Sequence, residues 1–164
     1  MLLVRLTTFL DRAIAAILSA GRILALPIVL LLFLQWPLRD LAGAYSREAN
    51  DLGQWLFAVY VAMAVTAATR AHTHLATDVV ARGYSARTRA IIVRATALIS
   101  ALPWALFVLI AGRSIVMSSL LARETFPDTT NPGYFLVKLA LWVLAGLMLA
   151  QALVDLLKPG REGT

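Results

Sequence analysis

Four long apolar stretches, roughly residues 13–36, 52–69, 90–121 and 134–157, constrain this chain more than any other feature. An α-helix rises 1.5 Å per residue, so about 20 apolar residues cross a hydrocarbon core of about 30 Å. A soluble domain of 164 residues could not cover this much apolar surface: 60% of the chain is hydrophobic and only 15% is charged. The fold class follows as an all-α integral membrane protein with four transmembrane helices, forming one membrane domain over residues 1–164. The third stretch exceeds what the hydrocarbon needs. It is expected as a long tilted helix bending at Pro103, with Arg113 marking an interface. The first stretch is too long for a secretory leader and carries Arg22 inside it, so it is expected to stay as an uncleaved span.

The charges orient these spans. Arg5, Arg12, Arg70, Arg82, Arg87, Arg89, Arg94, Lys158 and Arg161 lie at the termini and between spans two and three. The other two loops hold only Arg39, Arg47, Arg123 and Lys138, beside Asp40, Glu48, Asp51, Glu124 and Asp128. The positive-inside rule therefore places both termini in the cytoplasm. The formal charge of +6 belongs to this bias and to attraction for anionic lipid, since no basic run carries the interleaved aromatics of a nucleic-acid surface. Trp36 and Trp55 suit an interfacial belt, and Trp104 and Trp142 suit packing positions. Arg94 is expected to snorkel to headgroups. Arg22 has two readings, snorkelling or pairing with a partner subunit's carboxylate or carbonyl.

The chain offers little for catalysis. It contains no cysteine, which removes disulfides, thiolate nucleophiles and cysteine-bound zinc. His72 and His74 are two residues apart, so on a helix they point to different sides and cannot form a bis-histidine haem pair. No Ser–His–Asp set, carboxylate pair or phosphate-cradling glycine loop is present. No catalytic residue, metal ligand or cofactor is therefore expected on this chain. A free-standing small carrier or channel is the alternative function, but the second and fourth spans hold no ionisable group until their ends. What remains is geometry. Arg70, His74 and Asp78 follow an i, i+4, i+8 spacing and would form one polar stripe, with Arg70 free to meet a headgroup phosphate or a partner's carbonyls. Ser85, after Gly83 and Tyr84, is a candidate N-cap for the third helix.

The stretch from Arg70 to Ala90, "RAHTHLATDVVARGYSARTRA", resembles a signature of the small membrane subunit of tripartite ATP-independent periplasmic (TRAP) transporters. His74 and Asp78 fall on the family's histidine and aspartate, and Ser85 and Arg89 on its next landmark. "LQWPLRD" is similar to the ending of the family's first span, at Gln35 and Arg39. "EANDLGQWLF" is similar to the opening of its second, with Asn50–Asp51 where two acids are common. "RETFPDTTNPGYFLVKLALWVLAGLMLAQAL" resembles the longer members through Glu124, Pro127, Pro132, Lys138 and Gln151. The resemblance implies a non-enzymatic subunit in the bacterial inner membrane. It would scaffold a large multi-span permease that moves organic anions on a sodium gradient, with sodium held by that larger partner. It would also help dock a periplasmic substrate-binding protein. Arg39, Arg70, His74, Asp78, Ser85, Arg89 and Glu124 are then the candidate assembly or membrane-interface residues.

Overall fold

The computed structural model describes residues 2–44, 46–71 and 83–157. Four helices are long and apolar enough to cross a membrane: Arg5–Ala42, Arg47–Ala71, Arg87–Ala111 and Tyr134–Leu157. The first is the longest, at 38 residues. It consists of α1 (Leu2–Gly21), a 3-10 turn (Arg22–Leu24) and α2 (Ala25–Ala42). The apolar run ends at Trp36, but Leu38, Arg39 and Asp40 are compatible with a helix, so the helix continues to the first residue that can reverse it. That residue is Gly43, with φ of 61°. The Gly43 and Ala44 amides both donate to the Leu38 carbonyl, closing the helix as a left-handed glycine cap does. Ser46 then opens α3 (Arg47–Ala71), its hydroxyl accepting from the Ala49 amide at 3.1 Å.

The third span is segmented. It runs through α4 (Ala86–Thr96), a π-helical turn (Ala97–Ala101), α5 (Leu102–Ala111) and α6 (Arg113–Leu121). Pro103 lacks an amide hydrogen, and its ring crowds the preceding turn. The widened turn just before it accommodates that ring, and the Leu102 amide reaches back five residues to the Ala97 carbonyl. The irregularity therefore falls where the sequence places it, next to Pro103. A second break at Gly112 separates α5 from α6. There the indole of Trp142 donates to the Leu109 carbonyl at 3.2 Å, so a neighbouring helix satisfies a carbonyl close to the interruption.

The last helix, α7 (Tyr134–Leu157), is the centre of the bundle and packs against α1, α3, α5 and α6. Its buried residues include Ala140, Ala145 and Ala152, small side chains that let helix backbones approach in a membrane, where Leu gains little over lipid. Ile14 and Leu18 of α1 meet Val154 of α7, with Met63 and Ala67 of α3 packed alongside. By contrast α2 packs mainly on α3, and much of its surface is uncovered. Four crossings bring the start of α1, the end of α3 and the end of α7 to one end of the bundle. The α2–α3 and α6–α7 connections lie at the other.

Candidate functional site

Polar groups inside the bundle gather at its two ends. At the end shared by the termini, Arg70 of α3 forms an ion pair with Asp11 of α1, Nη1 to Oδ1 at 2.6 Å. The two side chains are only 16% and 15% exposed. The same Nη1 donates to Gln151 Oε1 of α7 at 3.3 Å. Gln151, itself 2% exposed, donates from Nε2 to Asp155 Oδ1 at 2.8 Å. Three helices that are distant in sequence are thus tied by one guanidinium and one amide. A buried charge without a partner would be costly in this setting, so the network fixes how α1, α3 and α7 meet.

Arg70 therefore points into the bundle, where the sequence left it for a headgroup or a partner subunit. Asp11, 59 positions earlier, carried no local signal of this pairing. Only the i, i+4 step from Gln151 to Asp155 was visible in the sequence. His74 and Asp78, the other two members of the expected stripe, lie outside the described residues. Ser85 caps α4 as its position suggests, its Oγ accepting from the Thr88 amide at 3.2 Å. Arg89 lies one turn further on and is exposed.

At the opposite end the α6–α7 connection folds into a compact cap over the start of α3. Phe126 is 3% exposed and meets Tyr134 edge-on, ring centroids 5.5 Å apart. The Phe126 amide donates to the Asn131 carbonyl, and the Thr130 amide returns to the Phe126 carbonyl. Gly133 has φ of 144°, and a Cβ there would lie 3.2 Å from Phe126 Cε2. Only glycine fits that backbone without strain. Asp51 of α3 is buried beneath the cap, where its Oδ2 accepts from Thr129 Oγ1 and, at 3.4 Å, from Asn131 Nδ2.

Glu124 closes the other side of the cap. Its Oε2 accepts from Lys138 Nζ at 2.5 Å and from the Ser119 hydroxyl. Lys138, followed by Ser119, holds the Glu124 carboxyl below its ordinary value of 4.5. The Lys138 ammonium also stands 5.3 Å from the Tyr134 ring centroid. Two acids of the outer loops, Asp51 and Glu124, are thus engaged within the chain. Arg47 and Asp128 stay exposed on the rim of an open polar recess of about 340 Å³, which Asn50, Asp51 and Thr129 also line. Arg39, on the neighbouring α2, is exposed and pairs with the adjacent Asp40, Nε to Oδ1 at 2.9 Å. Nearby, the Gln35 amide nitrogen is buried without a hydrogen-bond partner, beside an apolar recess lined by Leu31, Leu34 and Leu38.

Between these two ends the interior is apolar. Of the buried polar residues, Thr7 and Gln151 lie at one end and Asp51 and Ser119 at the other. Among the described residues Thr66 alone lies between them, and its hydroxyl donates to the Ala62 carbonyl of its own helix at 2.9 Å. No cluster of three or more histidine, aspartate or glutamate side chains suited to a metal occurs among the described residues.

Comparison with curated proteins and with solved structures finds no match. A family model does match, over residues 28–161: Tripartite ATP-independent periplasmic transporters, DctQ component. The match spans α2 to the C-terminal tail and includes both polar ends through α3 and α7, while α1 with Asp11 and Arg22 precedes it. With four membrane-crossing helices, such a component resides in the inner membrane, in association with the large permease and the periplasmic binding protein. The chain belongs to the DctQ family, the small component of TRAP transporters.

Proposed function

We propose that this chain is the non-catalytic scaffold of a sodium-coupled TRAP transporter for organic anions of the carboxylate type. In this reading the Arg70 end faces the cytoplasm, as the positive-inside bias requires, and the capped end faces the periplasm. The large permease carries the substrate and the sodium ions. This chain enlarges the permease's stationary part, and its basic cytoplasmic end holds on to anionic lipid headgroups.

The closed interior carries the reading. A carrier lines an interior path with ionisable groups or unwound helix ends to meet its cargo, whereas Arg22 lies on the outside of this bundle. Here, among the described residues, the buried polar side chains lie at the two ends of the bundle, apart from Thr66 about one turn inside Arg70, whose hydroxyl is satisfied by its own helix. The polar groups at each end serve instead to fix the helices against one another, which suits a part that must hold its shape while another moves.

The cap supplies a periplasmic surface for the binding protein. Its ordered backbone presents Arg47 and Asp128 at the recess rim, charges of both signs on a rigid base, which favours steered encounter. Co-expression with the large permease tests the assignment. The chain should co-purify with the permease, and Arg47→Ala with Asp128→Ala should weaken capture of the binding protein without changing recovery of the membrane complex. A chain that purifies free of the permease would refute the scaffold. Unchanged capture by the double variant would refute the docking surface.

A further inference from the structure

Arg22 sits in the 3-10 turn that joins α1 to α2, and its side chain is exposed on the outside of the bundle. Two landmarks give its depth. Asp11, eleven residues earlier on the same continuous helix, pairs with Arg70 at the end of α3. Eleven residues correspond to about 16 Å of helix. Gly21 lies against Met63, so closely that a Cβ at 21 would be 2.3 Å from Met63 Sδ. Met63 is seven residues, or about 10 Å, before Arg70 along α3.

Arg70 itself marks a hydrocarbon boundary. Residues 52–69 of α3 carry no charge, and these 18 residues rise about 27 Å, nearly the whole hydrocarbon thickness. Arg22 therefore lies two to three helical turns inside the membrane, at roughly 10–16 Å. Three methylenes do not span that distance, although helical side chains lean toward the N-terminus and shorten it. Among the described residues Arg22 has no hydrogen-bond or ion-pair partner.

The surface around Arg22 is apolar and continuous. Leu26, Val29 and Phe33 follow at helical spacing on the same face and are 66%, 59% and 66% exposed. A lone fixed cation in a long apolar stripe at mid-membrane depth fits a transmembrane helix that carries one carboxylate. Such an acid would otherwise face the same desolvation problem as Arg22.

We propose that Arg22 is the mid-membrane contact through which the α1–α2 face docks on the large permease, pairing with an aspartate or glutamate on one of its transmembrane helices. The proposal rests on the scaffold reading and adds the site. The matching family region begins at residue 28, so the placement of Arg22 comes from this structure alone.

The test uses the complex purified after co-expression with the permease. Arg22→Leu should weaken association at least about 30-fold, because it leaves the permease carboxylate buried and alone. The same variant purified by itself should unfold at the wild-type temperature, since Arg22 has no hydrogen-bond or ion-pair partner among the described residues. The chain has no cysteine, so Ile23→Cys, 74% exposed beside an intact Arg22, can carry a photoactivatable maleimide. Its adduct should map to a permease helix within one turn of an acidic residue. Substituting that acid by arginine should restore association with Arg22→Glu. Adducts to lipid alone, or an Arg22→Leu complex of wild-type affinity, would overturn the contact while leaving the scaffold standing. A wild-type chain that fails to associate with the permease would overturn both.

Discussion

Replacing Arg70 by leucine is the sharpest single perturbation of the bundle. Arg70 and Asp11 are 2.6 Å apart and about five-sixths buried, so Arg70→Leu removes the guanidinium that faces the Asp11 carboxylate in a poorly hydrated site. Breaking a buried ion pair from one side costs about 3–5 kcal/mol, and the remaining solvent access argues for the lower end. Gln151 also loses the donor to its Oε1, worth about 1 kcal/mol. The expected loss is therefore roughly 3–4 kcal/mol. At 2–4 °C per kcal/mol for a chain of this size, Tm should fall by about 6–16 °C. Circular dichroism melts of the full chain in detergent, at matched scan rates, read this directly. Asp11→Leu combined with Arg70→Leu removes both charges and should recover most of the loss, because a well-packed apolar pair replaces an ion pair at little cost. Arg70→Leu melting with the wild type, or the double variant melting no higher than the single, would refute the claim that this pair locks the three helices.

Three further outcomes test the cap and the segmented helix. The Glu124 carboxyl is held below 4.5, so its contribution is fully present above that value and is lost as pH falls through its lowered folded-state value. Glu124→Gln should therefore flatten the acid limb of a stability-versus-pH curve below about pH 4.5 and leave its shape unchanged near neutrality. Gly133→Ala should loosen the cap by about 1–3 kcal/mol, seen as faster proteolysis between Ser119 and Tyr134, because φ of 144° strains any residue with a Cβ. Trp142→Phe removes the indole donor to Leu109 and should cost about 1 kcal/mol, with faster hydrogen exchange around Gly112.

The sequence made the four spans legible because membrane crossing is a one-dimensional requirement on length and polarity. The irregularity beside Pro103 and the Ser85 cap were legible for the same reason, since each depends on residues within one turn. Span lengths were harder. The first span runs past its apolar stretch at both ends, because the helix continues through the 3-10 turn at Arg22–Leu24 and Gly43 rather than Trp36 stops it. The ties between elements were not legible. Arg70 meets Asp11 across 59 positions, and Asp51 meets Thr129 and Asn131 across 78 and 80. Local spacing pointed Arg70 toward lipid, and loop composition pointed Glu124 toward a partner. Both have intramolecular counterparts that come close only in the folded bundle. His74 and Asp78 lie outside the described residues, so their place in the expected stripe rests on spacing and resemblance.

Solute uptake into sodium-loaded and sodium-free proteoliposomes tests the central claim most directly. The liposomes should contain this chain alone, the large permease alone, or both, with sodium, the binding protein and a candidate organic anion outside. The scaffold assignment requires uptake driven by an inward sodium gradient only where both membrane subunits are present, and none with this chain alone. Uptake by this chain alone, or full uptake by the permease without it, would contradict the assignment.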